Sequence, residues 1–147
     1  MASILVLNGP NLNLLGRREP HLYGTMTLDE IENRVRSQAN ASRVQVDWLQ
    51  TNHEGEMIDR IHAAFDNPPD GIIINPGAWT HTSIAIRDAL SALPCAFVEV
   101  HLTNVHGRES FRQHSFFSEK ALAVIAGCGP FGYEFALITL LANLNQG

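Results

Sequence analysis

Residues Cys95 to Val100 form a short apolar run, after which the chain turns abruptly into a polar segment that extends to Arg112. The run has the length and the branched side chains of a buried β-strand. In a parallel α/β sheet, such a transition lies at the carboxyl end of a strand, where ligands bind. Because side chains alternate along a strand, we expect Glu99 and His101 to emerge on one side, with the carboxylate close enough to orient the imidazole.

The rest of the chain alternates between short apolar segments and segments with helical periodicity. Further strands are predicted at Ser3–Leu7, Val44–Leu49, Ile72–Ile74 and Leu122–Ala126. Helices are predicted from about Leu28 to Asn40, Gly55 to Phe65, Ser83 to Ala92 and Phe131 to Asn143. Because a helix follows nearly every strand, we predict an α/β fold: a flavodoxin-like, doubly wound, five-stranded parallel sheet with helices on both faces.

Local patterns support several of these elements. Thr27 and Glu30 have the spacing of a capping box, which predicts the start of the first long helix. The segment Val44–Leu49 alternates apolar and polar residues, as a strand at or near the sheet edge would. One face of the second helix is predicted to carry the apolar residues Met57, Ile58, Ile61, Ala64 and Phe65.

Length and composition fit one soluble domain spanning residues 1–147, with 45% apolar residues, 17% charged residues and a formal charge of −5. The acidic balance and the absence of Lys or Arg runs give no reason to expect nucleic acid or a membrane as partner. No apolar stretch reaches membrane-spanning length, and the N-terminal apolar run stops at Asn8, so we expect a cytoplasmic protein. Cys95 and Cys128 are expected to be core thiols in a reducing compartment.

The last predicted helix is apolar around most of its circumference. Between Ala121 and Gly147 the only charged side chain is Glu134. A helix of this kind needs more burial than one face of a sheet provides, so we expect it to form a contact between subunits.

Polar loops follow several of the strands, and a further segment at about residues 17–25 is bracketed by glycines and interrupted by Pro20, which suits a mobile lid.

The first loop lacks the phosphate nest that a flavin would need, and Asn8 and Asn75 stand where a phosphoacceptor protein would need acidic residues. Ser83 lacks a nucleophile elbow and is expected to cap a helix. The spacing of the histidines lacks the pairing of common zinc sites, so we expect no metal.

Taken together, these motifs resemble the type II 3-dehydroquinate dehydratases of the shikimate pathway, and the resemblance covers essentially the whole chain. The motifs that carry it are Asn8-Gly9-Pro10-Asn11-Leu12-Asn13, Gly16 with Arg18, Glu19 and Pro20, Tyr23-Gly24, Asn75-Pro76-Gly77-Ala78, Thr80-His81-Thr82-Ser83, Glu99-Val100-His101, Asn104-Val105-His106, Arg108 and Arg112. Two departures are small, namely Trp79 where tyrosine is expected and Gly107 where alanine is usual.

The resemblance implies reversible loss of water from 3-dehydroquinate to give 3-dehydroshikimate, without a cofactor or a metal. Tyr23 would be the base, acting as tyrosinate. A free phenol has a pKa of about 10, so a nearby cation is needed, and Arg18 is the candidate. An enolate would be stabilised through a water held by Asn11 and Asn75.

The same resemblance gives roles to residues of the later loops. His101 would protonate the departing hydroxyl, with Glu99 holding its ring. The substrate carboxylate would meet Leu102 and Thr103, and the ring hydroxyls would meet His81, Arg112 and Asp88. The family's dodecamer, a tetramer of trimers, places the residue matching Asp88 in a neighbouring subunit.

Other interpretations stay open at this stage. Glu99 could be only a structural partner of His101, and Arg17 and Arg108 could form salt bridges or lid contacts. A non-enzymatic binding module of the same fold would bind ligand without turnover. A Schiff-base dehydratase would have to use Lys120, the single lysine, which precedes the last strand far in sequence from the polar loops.

Overall fold

The computed structural model describes residues 1–145. Its strands are β1 (Ser3–Asn8), β2 (Gln45–Gln50), β3 (Gly71–Asn75), β4 (Ala96–His101) and β5 (Ala123–Ala126). They pair in parallel in the order β2-β1-β3-β4-β5. This is the strand order of flavodoxin-like sheets, so the predicted fold is confirmed.

Helices cover both faces of the sheet. They are α1 (Pro20–Tyr23), α2 (Leu28–Ala41), α3 (Glu54–Ala63), α4 (Ile84–Ser91) and α5 (Phe131–Asn145). The buried residues of α2 and α5 pack against one face of the sheet, and those of α3 and α4 pack against the other. Within residues 1–145, no helix has the length and apolar character needed to cross a membrane.

Burial along the strands matches their positions in the sheet. All five residues of β3 are buried, because β3 lies at the centre with helices on both sides. The edge strand β2 exposes Gln45 and Asp47 and buries Val46 between them, as its alternation predicted. The predicted helix start at Thr27 is confirmed, since its hydroxyl accepts a hydrogen bond from the Glu30 amide at 3.2 Å.

Two local predictions are wrong. Phe65 is 60% exposed, because α3 ends at Ala63 and the chain leaves the helical face before Phe65. Cys128 is exposed and Cys95 only half-buried, so neither is a core thiol, although burial raises the pKa of the Cys95 thiol. The segment expected to act as a lid contains the short helix α1, with Pro20 at its first position, where no amide donor is needed.

The register of the sheet brings three strand ends to one edge. Asn8, the last residue of β1, pairs with Asn75, the last residue of β3. Ile74 pairs with Glu99, so β4 ends beside β3 at His101. The polar loops that follow these strands therefore meet at the carboxyl edge of the sheet, which is where the candidate site lies.

Candidate active site

A cleft with a volume of about 230 Å³ opens at the carboxyl ends of β1, β3 and β4. Nine of the eleven residues predicted for the site line this cleft: Asn11, Arg18, Tyr23, Asn75, His81, His101, Leu102, Thr103 and Arg112. The structure thus brings together residues that are up to about 100 positions apart in the sequence.

Glu99 lies immediately behind the cleft and supports His101. One carboxylate oxygen of Glu99 is hydrogen-bonded to the Nε2 atom of His101, and both side chains are buried. This contact leaves Nδ1 as the ring nitrogen available to a ligand in the cleft. The predicted emergence of the two side chains on one side of β4 is therefore observed.

The carboxyl group of Glu99 is surrounded by hydrogen-bond donors. Ser118 donates its hydroxyl to Oε1 at 2.8 Å, and Ser115 donates to the same carboxylate at 3.1 Å. Burial alone would raise the pKa of Glu99, but hydrogen bonding and attraction from His101, together with both serine hydroxyls, lower it below the ordinary value. The carboxylate is therefore ionised at neutral pH.

Tyr23 lies at the end of α1, and its ring contacts two arginines in the cleft. The guanidinium carbon of Arg18 is 5.1 Å from the ring centroid, and that of Arg108 is 5.3 Å away. Arg108 also donates to the hydroxyl of Thr103 at 3.4 Å. Arg108, for which salt bridges or lid contacts were as open as substrate contact, ion-pairs with Glu109, lies over the Tyr23 ring and also lines the cleft.

The loops after β1 and β3 form one wall of the cleft. They approach so closely that a Cβ atom on Gly9 would lie 2.3 Å from the carbonyl oxygen of Pro76, so this position requires glycine. Asn11 has a left-handed backbone with φ of 70°, and its amide donates to the side chain of Asn52 at 3.0 Å. Asn75 is buried, and its side-chain oxygen accepts from the Gly77 amide at 3.2 Å.

The cleft lining also includes a second imidazole, from His81, and a further guanidinium, from Arg112. The Nδ1 atom of His81 lies 2.7 Å from the carbonyl oxygen of His114 and must be protonated to donate to it, which leaves Nε2 free to accept. Arg112 donates to the exposed carboxylate of Glu109 at 3.0 Å. The hydrogen bond from Arg112 is the main cause that lowers the pKa of Glu109.

Asp88 is the only predicted substrate contact that lies outside the cleft of its own chain. It is exposed on α4, on the far side of the sheet from α5. Lys120 is also exposed and does not line the cleft. In the described part of the chain, no three His, Cys, Asp or Glu side chains converge in a way that could hold a metal ion.

Sequence reasoning missed one buried polar residue beneath the cleft. Tyr133 on α5 is fully buried, and its hydroxyl bonds to the side chains of Asn8 and Asn75. The helix was interpreted as an apolar element, and only the single phenol in it could have signalled a polar contact in the core.

The fold and the cleft define an α/β protein whose site lies at the carboxyl edge of a parallel sheet and contains an acid–base pair. Its family follows from direct comparison: the chain belongs to the class II dehydroquinases, whose family model, Dehydroquinase class II, matches residues 2–141.

Relatives from distant organisms match along nearly the whole chain. The protein is 58% identical over 144 residues to catabolic 3-dehydroquinase 2 of Aspergillus flavus, covering 98% of this chain and 95% of that one. It is 58% identical over 137 residues to the 3-dehydroquinate dehydratase of Methylococcus capsulatus, covering 93% of each chain. The crystal structure of the type II dehydroquinase from Propionibacterium acnes superposes with a TM-score of 0.92 at 45% identity, covering 97% of both chains.

Proposed function

We propose that this protein is a type II 3-dehydroquinate dehydratase, a carbon–oxygen hydro-lyase of the shikimate or quinate pathway. It converts 3-dehydroquinate reversibly into 3-dehydroshikimate and water, with residues 1–147 acting as a single catalytic domain. The observation that carries this proposal is the position of Tyr23 against two arginines, in the same cleft as the His101–Glu99 pair. Membership of the dehydroquinase family supports the choice of substrate.

The first step is removal of a proton beside the ketone by Tyr23. The base must be the phenolate, which is a minor form of a free phenol at neutral pH. The guanidinium groups of Arg18 and Arg108, 5.1 and 5.3 Å from the ring centroid, attract the negative charge of the phenolate. Arg18 and Arg108 therefore lie where they can balance negative charge on Tyr23, and Tyr23 holds the proton after the transfer.

Loss of that proton leaves an enolate, whose negative charge lies on the former ketone oxygen. We assign its stabilisation to Asn11 and Asn75, acting through a bound water. Both side chains belong to the wall formed by the loops after β1 and β3. Amides held by a rigid loop are already oriented when the charge develops, so little reorganisation is needed at the moment of reaction.

Departure of the hydroxyl group completes the reaction. His101 gives a proton to this hydroxyl, which leaves as water while the electrons of the enolate form the new carbon–carbon double bond. The ionised Glu99 behind the ring stabilises the imidazolium and holds its orientation. His101 is restored when the proton held by Tyr23 returns to solvent and a new proton reaches the imidazole.

The remaining cleft residues bind the substrate. The backbone at Leu102 and Thr103 and the Thr103 hydroxyl are assigned to the carboxylate, because these buried residues follow β4 at the cleft floor. His81 and Arg112 are assigned to the ring hydroxyls, since an unprotonated Nε2 and a guanidinium offer an acceptor and donors respectively.

The active assembly is proposed to be a homododecamer, a tetramer of trimers, located in the cytoplasm. Two separate surfaces support an assembly with more than one kind of contact. One is the exposed apolar face of α5 with the neighbouring edge strand β5, made of Val124, Phe131, Phe135 and Ile138. The other is the exposed part of α4, which carries Ile84 and Asp88. These helices lie on opposite faces of the sheet, so the two surfaces are separate.

Absorbance of the conjugated enone product tests the proposed reaction directly. Purified protein is mixed with 3-dehydroquinate, treated with borohydride or left untreated, separated from the reagent and assayed again. We expect full turnover after both treatments, because no Schiff base forms in the enolate route. The variant Lys120→Met should also keep its activity, since Lys120 is exposed and lies outside the cleft lining.

Each other outcome contradicts a defined part of the proposal. Absence of turnover in the untreated protein would favour a non-enzymatic binding module. Loss of activity after borohydride, or in Lys120→Met, would indicate chemistry through a Schiff base and would refute the roles given to Tyr23 and His101.

A further inference from the structure

Four hydrogen bonds form a continuous chain beneath the cleft, from the end of β2 to the loop after β3. Asn8 donates its Nδ2 to the carbonyl oxygen of Leu49 at 3.1 Å. Tyr133 donates its hydroxyl to the Oδ1 of Asn8 at 2.7 Å. Asn75 donates its Nδ2 to the Tyr133 hydroxyl at 3.0 Å, and the Gly77 amide donates to the Oδ1 of Asn75 at 3.2 Å.

The three side chains of this chain are almost completely removed from solvent. Tyr133 and Asn8 are 0% exposed, and Asn75 is 3% exposed. Burial raises the pKa of Tyr133, so its phenol stays neutral and keeps its proton. A polar group left without a partner at such a site would be strongly unfavourable, which explains why every member of the chain is bonded to the next.

The direction of the chain is determined at both ends by backbone groups. The Leu49 carbonyl can only accept a hydrogen bond, and the Gly77 amide can only donate one. The Tyr133 hydroxyl has a single proton, which it gives to Asn8, so toward Asn75 it can only accept. If the Asn75 amide were flipped, its oxygen would face the lone pairs of Tyr133, and its NH₂ group would face the Gly77 N–H.

This direction has a consequence at the cleft. Asn75, Gly77 and the adjacent Ala78 all line the cleft. The Nδ2 atom of Asn75 carries two protons, of which Tyr133 accepts one, so the second remains for a ligand or a water.

We infer that Tyr133 is a positioning residue, which acts through Asn75 by fixing the orientation of the amide that faces the developing enolate. The inference rests on the proposed dehydratase function. It extends the site to a helix that the sequence presents as mostly apolar, and to a side chain that does not line the cleft.

The variant Tyr133→Phe tests the inference, because phenylalanine keeps the ring, which stacks on Trp48 with centroids 5.9 Å apart, and removes only the hydroxyl. We expect kcat to fall about 10- to 100-fold, because a misoriented donor weakens stabilisation of the enolate. KM should change less than about threefold, since the interaction strengthens mainly in the transition state. In the background of Asn75→Ala, adding Tyr133→Phe should give no further loss of kcat.

Two further variants separate orientation from stability. Ile61→Val trims the buried core on the opposite face of the sheet and should leave kcat and KM unchanged. Asn8→Ala interrupts the chain from its other end and should also lower kcat more than KM, so the inference stays testable if Tyr133→Phe folds poorly. If the parent turns over and the kcat of Tyr133→Phe lies within twofold of the parent value, the positioning role of Tyr133 is refuted. Additive losses of kcat for Tyr133→Phe and Asn75→Ala would refute it in the same way. Absence of turnover by the parent would refute the proposed function and this inference together.

Discussion

At Glu99, burial and hydrogen bonding act on the carboxyl group in opposite directions. Burial raises its pKa, whereas the hydrogen bond and positive charge of His101 and the hydroxyls of Ser118 and Ser115 lower it further than burial raises it. A residue that is fully enclosed and still ionised needs this many donors. The pair of serines, 16 and 19 positions further along the chain, is therefore part of what keeps Glu99 ionised.

The pH dependence of stability tests this account. Because the folded-state pKa of Glu99 is lowered, its contribution to stability is fully present above the unfolded pKa of about 4.3 and is lost as the pH falls toward the folded pKa. Removing one donor in Ser118→Ala should destabilise the protein at pH 7 by about 1.5 to 3 kcal/mol. The difference from the parent should shrink as the pH falls below about 4.3 toward the folded-state pKa of Glu99, because the unfolded chains titrate alike and only the ionised carboxylate of the folded state gains from the Ser118 hydroxyl.

Denaturant titrations of parent and variant between pH 3 and pH 8 would measure this difference. Ser37→Ala, at an exposed position on α2, provides a matched control and should show no comparable pH-dependent difference. A stability difference for Ser118→Ala that stays constant across the whole pH range would show that Ser118 does not act through the ionised Glu99.

Tyr23 gives the sharpest prediction about the reaction itself. Tyr23→Phe keeps the ring that contacts Arg18 and Arg108 but removes the proposed base. Loss of a general base should lower kcat by about 10²- to 10⁴-fold, while KM changes little. His21→Ala, an exposed neighbour on α1, should retain normal kcat in the same steady-state assay. A near-normal rate for Tyr23→Phe would remove Tyr23 from the proposed mechanism.

At the scale of elements, the strands and long helices were predictable because each combines a local pattern with a clear boundary. The run of three isoleucines in β3 and the cap at Thr27 are examples. The short helix α1 was not predictable, since Pro20 and Gly24 suggest an irregular loop and four residues carry no periodicity. Tyr133 was missed for another reason, because its partners Asn8 and Asn75 lie 125 and 58 positions away and only the folded sheet brings them together.

The exposed apolar face of helix α5 is the proposed contact between subunits. Its exposed face has Phe131, Phe135 and Ile138 at helical spacing, and Ile138 is 57% exposed in the single chain. If this face is a subunit contact, Ile138→Glu should place a charge in an apolar interface and shift the assembly to smaller species. Sedimentation velocity would measure the change. Phe65→Glu, at a site that is 60% exposed on the other side of the sheet, is the matched control and should leave the mass unchanged. An unaltered mass for Ile138→Glu would contradict the proposed contact.

At the scale of the whole molecule, the cleft contains every predicted site residue except Glu99 and Asp88. Glu99 reaches the cleft through His101, but Asp88 is exposed on α4 and does not line the cleft. A side chain in this position contributes to substrate binding only if another copy of the chain supplies it. If Asp88 binds substrate as proposed, the proposed assembly completes the site in addition to covering apolar surface.

Mixing two impaired variants distinguishes a shared cleft from a self-contained one. Asp88→Ala removes the residue that a subunit would lend, and Tyr23→Phe removes the base of its own cleft. In oligomers co-assembled from equal amounts of both variants, about a quarter of the clefts should combine an intact Tyr23 with an Asp88 from a neighbour, so activity should rise above the average of the separate variants. Tyr23→Phe mixed with His101→Ala should show no such gain, since both residues line the same cleft of one chain. If Asp88 acts within its own chain, the first mixture should behave like the second.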